Sequence, residues 1–251
     1  NPDETRKRVD LLHSYLADER ARIENLRIVG VTKEETPEVY DTFMEYTTKA
    51  YASEKSPLEL SFIPIHPGDI LSYGGYHFEV KLLKGHTFGQ CGLYEPEKKL
   101  MFVGDQLMTT IVPIVGTQET DLGMLKCYLD SLGDLKHNYK DCYFLPCHYG
   151  EIRNVEKEVN RIILGYLEKC EIMKHVLEEA GTALTTRDIG VRTYGRSQGP
   201  PDYAHFASCT YIWAKTFSCM EYMMGEGFVE RSERDGIIYW KAPSIHFENN
   251  R

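Results

Sequence analysis

The sequence has no run of about 18 consecutive apolar residues, the length that a helix needs to cross a membrane. Its seven cysteines include no C-x-x-C pair, and their number is odd. This usage is typical of reduced thiols in a cytosolic protein rather than of a disulfide framework. The N-terminus is charged from its first residues, which is not the pattern of a signal peptide. Together these features predict a cytoplasmic protein without a membrane partner.

A basic excess is also missing, since the formal net charge is −9 at pH 7. Nonspecific binding to nucleic acid depends on Lys and Arg side chains that neutralise phosphates. The charge balance therefore argues against broad phosphate binding, although a local basic patch is compatible with it. With 251 residues, of which 42% are hydrophobic and 27% charged, the chain is long enough for one large globular domain or two ordinary ones.

Two charged helices are predicted near the N-terminal end, over residues 3 to 28 and 37 to 52, from apolar positions at helical spacing. Thr32 with Glu35 is a candidate capping box, and Thr36 is a second candidate N-cap. Nothing in this region has the pattern of a chemical site. Both helices are therefore interpreted as scaffolding.

From residue 58 onward the apolar residues take on the pattern of β-strands. The predicted elements are a hairpin with strands at 58–65 and 76–83, two strands at 91–96 and 98–105, a Leu-rich helix at 121–139 and a strand within 142–152. Helices that alternate with strands in this way predict a layered α/β domain.

The pattern changes again after residue 154. Three helices are predicted, over residues 155–181, 185–195 and 203–227, followed by a hairpin that turns at Asp235 and Gly236. Three helices and a hairpin in this order are typical of a winged helix-turn-helix domain. We therefore predict two domains, residues 1–154 and residues 155–251.

Three of the predicted strands end in side chains that bind metals, namely His86, Asp105 and His148. Strand ends along one edge of an α/β sheet are the usual place of ligand binding. Neutral imidazole nitrogens and a carboxylate oxygen suit Zn²⁺, Fe²⁺ or Mn²⁺, and such an ion lowers the pKa of a bound water. Any one of these turns taken alone is more often structural, so it is their joint order and spacing that favour a metal site.

The segment KGHTFGQCGLYEPEKKLMFVGDQLM, which contains His86 and Asp105, resembles the P-G-H-T-x-G-x-x-x-L-Y-x-P-x-x-x-L-L-F-x-G-D-x-L stretch of the metallo-β-lactamase-fold hydrolases. The segment FLPCHYGEI, which contains His148, resembles their later L-P-G-H-G segment. The tail is similar to the winged helix of one branch, which includes glyoxalase II-like hydrolases and β-lactamase-like endoribonucleases. The resemblance covers residues 58 to 240, and it implies an αββα sandwich, without its first strands, followed by an α+β winged-helix domain.

The same resemblance implies a role for each of the three residues. His86 would complete the coordination of a first metal, Asp105 would bridge two metals as the catalytic residue, and His148 would bind the second metal. The implied cofactor is a pair of divalent ions, with zinc as the expected metal and iron or manganese as alternatives. A hydroxide between two such ions attacks an ester, thioester, lactam or phosphodiester. Gln106 stands where the family commonly has a His, and Cys147 replaces a Gly, but neither is an implied ligand.

The family's hallmark motif H-x-H-x-D-H has no counterpart, because the sequence contains no H-x-H. The chain therefore resembles a family member without its first ~60 to 80 residues. Two interpretations are open: the residues belong to a longer polypeptide, which we favour, or the protein has lost half of its site. Three ligands alone would hold one metal weakly but not a pair.

Three functions are compatible with these patterns, and we favour a metal-dependent hydrolase of a small ester or thioester. The second is a non-catalytic scaffold or regulator that kept the fold and lost the metals. The third is a nucleic-acid processing enzyme that uses the tail, where Arg187, Arg192 and Arg196 cluster. Lys and Arg do not outnumber Asp and Glu after residue 157, which weakens this third interpretation. The apolar helix at 203–227 is predicted instead to form part of a cleft or of a homodimer interface.

Overall fold

The computed structural model describes residues 19–53, 63–115, 123–195 and 203–243. The first half contains helices α1 (Glu19–Ile28) and α2 (Pro37–Ser53), strands β1 (Ile70–Tyr73), β2 (Tyr76–Leu82), β3 (Cys91–Glu95) and β4 (Leu100–Gly104), helix α3 (Met124–Asn138) and strand β5 (Tyr143–Pro146). The second half contains helix α4 (Val155–Ala180), strand β6 (Leu184–Thr185), helices α5 (Thr186–Tyr194) and α6 (Tyr203–Gly225), and strands β7 (Glu230–Arg234) and β8 (Ile237–Lys241).

The first five strands form one sheet in the order β1-β2-β3-β4-β5. The pairs β1–β2, β2–β3 and β3–β4 are antiparallel, whereas β4 and β5 are parallel and are connected through α3. Two successive antiparallel pairings make β2 run in the same direction as β4. The carboxyl ends of β2, β4 and β5 therefore lie at the same edge of the sheet, and His86, Asp105 and His148 follow these three ends.

The first hairpin differs from the sequence prediction. Of the predicted strand at 58–65, residues 58–62 lie outside the described residues, and residues 63–65 are not in a strand. Strand β1 lies instead within the segment predicted as the turn, where Tyr73 pairs with Tyr76 across Gly74 and Gly75. Both glycines have positive φ, 59° and 82°, as a two-residue hairpin turn of type I′ requires. The two glycines allow β1 to end and β2 to begin directly beside the turn. The loop is therefore shorter than the one predicted from the sequence.

A continuous core joins this sheet to the helices. Its fully buried members include Met101, Val103 and Phe144 on the strands, Tyr128 and Leu132 on α3, Tyr166 on α4, Phe217 and Met220 on α6, and Trp240 on β8. Helix α6 is buried around its whole circumference between residues 216 and 221. Packing within the chain therefore accounts for much of the apolar character of this helix.

The remaining three strands form a second, antiparallel sheet in the order β6-β8-β7. Its hairpin turns at Asp235 and Gly236, which both have positive φ, as the sequence predicts. Helix α4 ends at a left-handed Gly181, and the Thr185 side chain caps α5 by accepting a hydrogen bond from the Asp188 N–H at 3.1 Å. The predicted order of helices and hairpin is therefore present, whereas a domain boundary at residue 154 stays a prediction.

Helices α1 and α2 pack against the C-terminal half of the chain. Leu26, Val31 and Phe43 form a buried cluster with Trp213 of α6. The backbone joins the same regions, because the Arg187 N–H donates to the Val29 carbonyl at 2.9 Å. Helix α2 begins directly after Thr36, the second candidate N-cap, while residues 3–18 of the predicted first helix lie outside the described residues. Over the described ranges, no helix combines the length and apolarity that crossing a membrane would take.

Candidate metal centre

His86 follows β2 through a backbone turn that glycine makes possible. Gly85 has a φ of 150°, and a Cβ atom at this position would lie 2.6 Å from the Tyr128 Cα on α3. The side chain of Gln106 holds the same turn from the other side. Its Nε2 donates to the Lys84 carbonyl at 3.1 Å, and its Oε1 accepts from the His86 N–H at 3.3 Å. The backbone on both sides of Gly85 is therefore fixed before any metal binds.

The imidazole ring of His86 is oriented by the loop that follows Asp105. Its Nδ1 lies 2.8 Å from the carbonyl oxygen of Ile114. Because a carbonyl oxygen only accepts, Nδ1 carries the proton in this bond, and in the neutral ring Nε2 keeps its lone pair. That Nε2 faces Asp105 Oδ2 at 3.6 Å. A carbonyl that fixes one ring nitrogen and leaves the other free is the usual environment of a metal-binding histidine.

Asp105 follows a tight turn at the end of β4. Gly104 has a φ of 56°, and a Cβ atom there would collide with the side-chain amide of Gln90. The Asp105 side chain is 28% exposed, but its Oδ1 is buried and has no hydrogen-bond partner among the described residues. Leaving a buried acceptor unpaired costs about 1–3 kcal/mol, and more for a charged group. A cation bound at Oδ1 would remove this cost.

His148 is brought to Asp105 by the parallel pairing of β4 and β5. The Cys147 N–H continues the pairing beyond the strand by donating to the Gly104 carbonyl at 3.2 Å. The next residue, His148, then places Nε2 3.5 Å from Asp105 Oδ1. The His148 side chain is 62% exposed, against 26% for His86, so the site is open on the His148 side.

Tyr149 forms part of that open side. It has a φ of 67°, which is rare for a residue with a side chain, and its carbonyl accepts a hydrogen bond from the Thr109 hydroxyl at 3.1 Å. Its ring lies edge-on to the His148 ring, with 6.1 Å between the ring centres, and it is 53% exposed. An aromatic surface therefore stands beside the most accessible of the three predicted ligands.

The structure thus brings all three predicted site residues together. Two ligands that each lie about 2.1 Å from a tetrahedral ion are roughly 3.4 Å apart. The two His–Asp pairs, at 3.5 and 3.6 Å, have nearly this spacing, and each uses a different carboxylate oxygen. Over the described ranges, no group of three or more His, Cys, Asp or Glu side chains is arranged to hold an ion. The residues therefore fit two pairs of ligands that share one carboxylate, rather than a closed single-ion site.

Two residues of the site were not predicted from the sequence. Gln106 is 0% exposed and donates a further hydrogen bond to the Ser131 hydroxyl at 3.0 Å, so it is a structural link rather than only a departure from the family pattern. Tyr166 binds the loop that carries Ile114. A polar residue directly after an apolar strand is a signal that could have identified Gln106, but no local pattern identifies Tyr166.

The predicted arginine cluster is only partly described. Arg187 is ion-paired with Asp188 at 3.1 Å, and its side chain is 23% exposed. Arg192 is exposed, and Arg196 lies outside the described residues. An anion-binding face formed by these three residues stays a prediction.

Solved structures with a similar backbone are metallo-β-lactamase-type proteins, and the chain has their fold. It is similar in structure to a metallo-beta-lactamase family protein from Thermus thermophilus, with 20% identity and a TM-score of 0.67 over 92% of this chain and 68% of that chain. It is also similar to a beta-lactamase domain protein from Burkholderia ambifaria, with 19% identity and a TM-score of 0.70 over 86% of this chain and 60% of that chain. The chain therefore spans less than two thirds of the Burkholderia protein.

Similarity at the level of sequence is more local. A stretch of 40 residues is 50% identical to the hydroxyacylglutathione hydrolase GloC of Haemophilus influenzae. The match covers 16% of this chain and 19% of that protein. No protein-family model matches the sequence. The comparisons therefore confirm the predicted fold and leave the reaction to be proposed from the site.

Proposed function

We propose that the protein is a metal-dependent hydrolase in which His86, Asp105 and His148 bind divalent ions. The observation that carries this proposal is the Asp105 carboxylate, which has an imidazole nitrogen near each oxygen and a buried Oδ1 without a hydrogen bond among the described residues. The fold and the local similarity to a hydroxyacylglutathione hydrolase support it. A scaffold that had lost its metals would have no need to keep these three groups in contact.

Each of the three side chains would supply a ligand to the ions. The Asp105 carboxylate would hold the ions and neutralise part of their charge, and His86 and His148 would each contribute Nε2 as a neutral ligand. When bound, the ions supply a hydroxide nucleophile at neutral pH by lowering the pKa of water. We expect zinc, with iron or manganese as alternatives.

The other residues near the centre would orient and admit the substrate. The Ile114 carbonyl keeps the proton of His86 on Nδ1, so the ring does not have to change tautomer when an ion binds. Tyr149 lines the open side beside His148, where an uncharged acyl group would find an apolar wall. The net charge of −9 disfavours a polyanion such as RNA, so a small ester or thioester is the proposed substrate class.

The C-terminal region would then support the site rather than read nucleic acid. We interpret helices α4 to α6 with strands β6 to β8 as a winged helix, because their order is that of the motif. Association of two copies through this region stays a prediction. The sedimentation velocity of the intact protein would test it, because the expected dimer has twice the mass of the chain.

The experiment that tests the hydrolase combines metal analysis with a thioester assay on the full-length protein. Protein loaded with Zn²⁺, Mn²⁺ or Fe²⁺ is dialysed, its metal content is measured, and its hydrolysis of small acyl thioesters is followed. We expect Asp105→Asn to lose bound metal and at least ~100-fold in rate, because the variant loses a ligand charge that both ions share.

A second His–Asp pair in the chain provides the matched control. His66 Nδ1 lies 3.5 Å from Asp69 Oδ2 on the surface, so Asp69→Asn changes a similar pair away from the site. We expect Asp69→Asn to bind metal and to hydrolyse the thioester like the unsubstituted protein. Absence of bound metal in the loaded protein, or an unchanged rate in Asp105→Asn, would overturn the proposal.

A further inference from the structure

We infer that Tyr166 is a positioning residue for the candidate metal centre, because its hydroxyl fixes the loop segment 113–115 that orients the His86 ring. Tyr166 lies on α4, outside the sheet and its strand ends. It makes no described contact with the three predicted ligands and acts on His86 through the loop. The inference deepens the proposed function and rests on it.

The Tyr166 hydroxyl uses both of its hydrogen-bonding capacities on the loop. It donates to the Pro113 carbonyl at 2.6 Å and accepts from the Val115 N–H at 2.9 Å. These two groups flank Ile114 in the chain. The Val115 N–H belongs to the same peptide group as the Ile114 carbonyl, and the Pro113 carbonyl belongs to the peptide group before it. One hydroxyl thus holds both peptide groups, which restricts their rotation.

This restricted rotation keeps the Ile114 carbonyl oriented toward the His86 ring. The carbonyl accepts the hydrogen bond from His86 Nδ1 at 2.8 Å and so keeps the ring proton away from Nε2. If the Ile114 peptide rotated, Nδ1 would lose its acceptor, and the neutral ring would exchange between its two tautomers. The tautomer with a proton on Nε2 cannot bind a metal through that atom.

The surroundings of Tyr166 favour a fixed and protonated hydroxyl. The residue is 0% exposed, and burial raises the pKa of its hydroxyl well above the ordinary value, so it remains a donor. Its ring packs edge-on against Tyr128 at 5.9 Å, and the Lys215 ammonium lies 4.8 Å from the ring centre. The ring thus has its own packing partners, and removing the hydroxyl alone leaves them in place.

A second side chain of the same helix braces the earlier part of the loop. Arg161 Nη2 donates to the Met108 carbonyl at 2.7 Å and to the Ile111 carbonyl at 3.2 Å. Helix α4 therefore holds the loop at two places, one turn and a half apart on the helix. This makes the C-terminal half of the chain a support for the His86 side of the site.

A plain core tyrosine is the competing interpretation, and Tyr194 represents it within the same chain. Tyr194 is also largely buried, but its hydroxyl has no hydrogen-bond partner in the described part of the chain. Tyr166→Phe and Tyr194→Phe each remove one hydroxyl from the interior. Only Tyr166→Phe removes a link to His86. If the role of Tyr166 is purely structural, neither variant changes the tautomer of the His86 ring.

The test uses the full chain, free of metal and labelled with ¹⁵N-histidine, at a pH where the His86 ring is neutral. Long-range ¹H–¹⁵N spectra report which ring nitrogen carries the proton. We expect the Nδ1–H tautomer in the unsubstituted protein and in Tyr194→Phe, and a mixture of tautomers in Tyr166→Phe. Titration with Zn²⁺ should then show affinity lowered about 10- to 100-fold in Tyr166→Phe, as for other groups that orient a metal ligand.

Hydrogen exchange of the Val115 amide provides a measurement that requires no substitution. The inference requires this N–H to be protected in the unsubstituted protein, since its acceptor is a buried hydroxyl, and rapid exchange would overturn it. An unchanged His86 tautomer in Tyr166→Phe would overturn it as well. Failure of the proposed function would give a different result. Neither the unsubstituted protein nor the Tyr166→Phe variant would bind zinc, while the His86 tautomer would still change in Tyr166→Phe.

Discussion

Oδ1 of Asp105 lies 3.5 Å from Nε2 of His148, and over the described ranges no hydrogen bond reaches this oxygen. A carboxylate oxygen and the lone pair of a neutral imidazole are both acceptors, so they gain nothing from facing each other. The contact becomes favourable when a proton or a cation lies between the two atoms. The pairing of β4 with β5 places the two side chains together whether or not an ion lies between them.

Binding of a divalent ion should therefore stabilise the folded chain. An ion that binds only the folded state adds about 2.7 kcal/mol to the free energy of unfolding when its free concentration is 100 times its dissociation constant. We expect Zn²⁺ to raise the urea midpoint of the unsubstituted protein and a chelator to reverse the effect. His148→Ala should lose most of the increase, because it removes one of the two imidazole ligands.

The control for this prediction is His66→Ala, which removes an exposed imidazole that also lies beside a carboxylate. It should respond to Zn²⁺ like the unsubstituted protein. An equal rise of the urea midpoint in His148→Ala would mean that the ion binds elsewhere, and this outcome would contradict the predicted role of His148.

The three candidate ligands can be located from the sequence because each lies within four residues of the end of a strand that the apolar pattern predicts. His86 and Asp105 lie on either side of the single hairpin β3–β4, so little chain separates them. The groups that orient them are harder to predict. Ile114 acts through its backbone carbonyl, which every residue has, and Tyr166 reaches the loop from a distant helix. Contacts of this kind depend on packing between elements, for which the local sequence has no pattern.

The helices of the C-terminal half follow the sequence prediction closely, because their ends carry local signals such as Thr185 and Gly181. The first hairpin does not. Its turn lies at Gly74 and Gly75, whereas the sequence prediction extends the loop over all the turn-forming residues from His66 onward. The packing of α1 and α2 on Trp213 is likewise a long-range property, and nothing in the first helices indicates which part of the chain they cover.

Gln106 should be important for stability as well as for the shape of the site. Gln106→Ala leaves the Lys84 carbonyl, the His86 N–H and the Ser131 hydroxyl without this partner in a partly buried region. We expect the free energy of unfolding to fall by about 3 kcal/mol, since each of these partly buried groups costs roughly 1 kcal/mol when unpaired, the low end of the range for buried groups. Urea denaturation of the metal-free protein measures the change.

Asn160→Ala is the comparison for Gln106→Ala, because Asn160 is exposed and bonds only the Lys136 ammonium among the described contacts. Its effect should stay within about 0.5 kcal/mol. A similar small loss in Gln106→Ala would show that the turn around His86 does not depend on the Gln106 amide.

Gly85 should tolerate no side chain. Its φ of 150° disfavours any other residue, and a Cβ atom would lie 2.6 Å from backbone of α3 at Tyr128. We expect Gly85→Ala to lower the free energy of unfolding by about 3 kcal/mol or more and to weaken metal binding, because the turn and α3 must separate. Thermal and urea unfolding measure the first effect, and zinc titration the second.

Gly133→Ala tests whether the loss of stability in Gly85→Ala comes from the close contact and backbone conformation at Gly85. Gly133 lies inside α3, and a Cβ atom there would meet nothing within 4 Å. Alanine is the better helix former, so this variant should gain about 0.5–1 kcal/mol. A gain or a neutral effect at both positions would contradict the close approach of the His86 turn to α3.

Buried tyrosines should make the protein unstable at high pH. Burial raises the pKa of Tyr128, Tyr166 and Tyr194 above the ordinary value of 10.0. Above pH 10 the unfolded chain releases these three protons while the folded chain keeps them, so the unfolded state binds fewer protons. The free energy of unfolding then falls as pH rises, by about 1.4 kcal/mol per pH unit for each such group.

Tyr194→Phe isolates one of the three contributions, because the Tyr194 hydroxyl has no hydrogen-bond partner to lose in the described part of the chain. At pH 7 the variant should be at least as stable as the unsubstituted protein, since phenylalanine buries the same ring without a polar group. Above pH 10 its stability should fall less steeply, by about 1.4 kcal/mol per pH unit. Urea unfolding at several pH values between about 9 and 11.5 measures both slopes, and parallel curves would mean that the Tyr194 hydroxyl ionises freely in the folded chain.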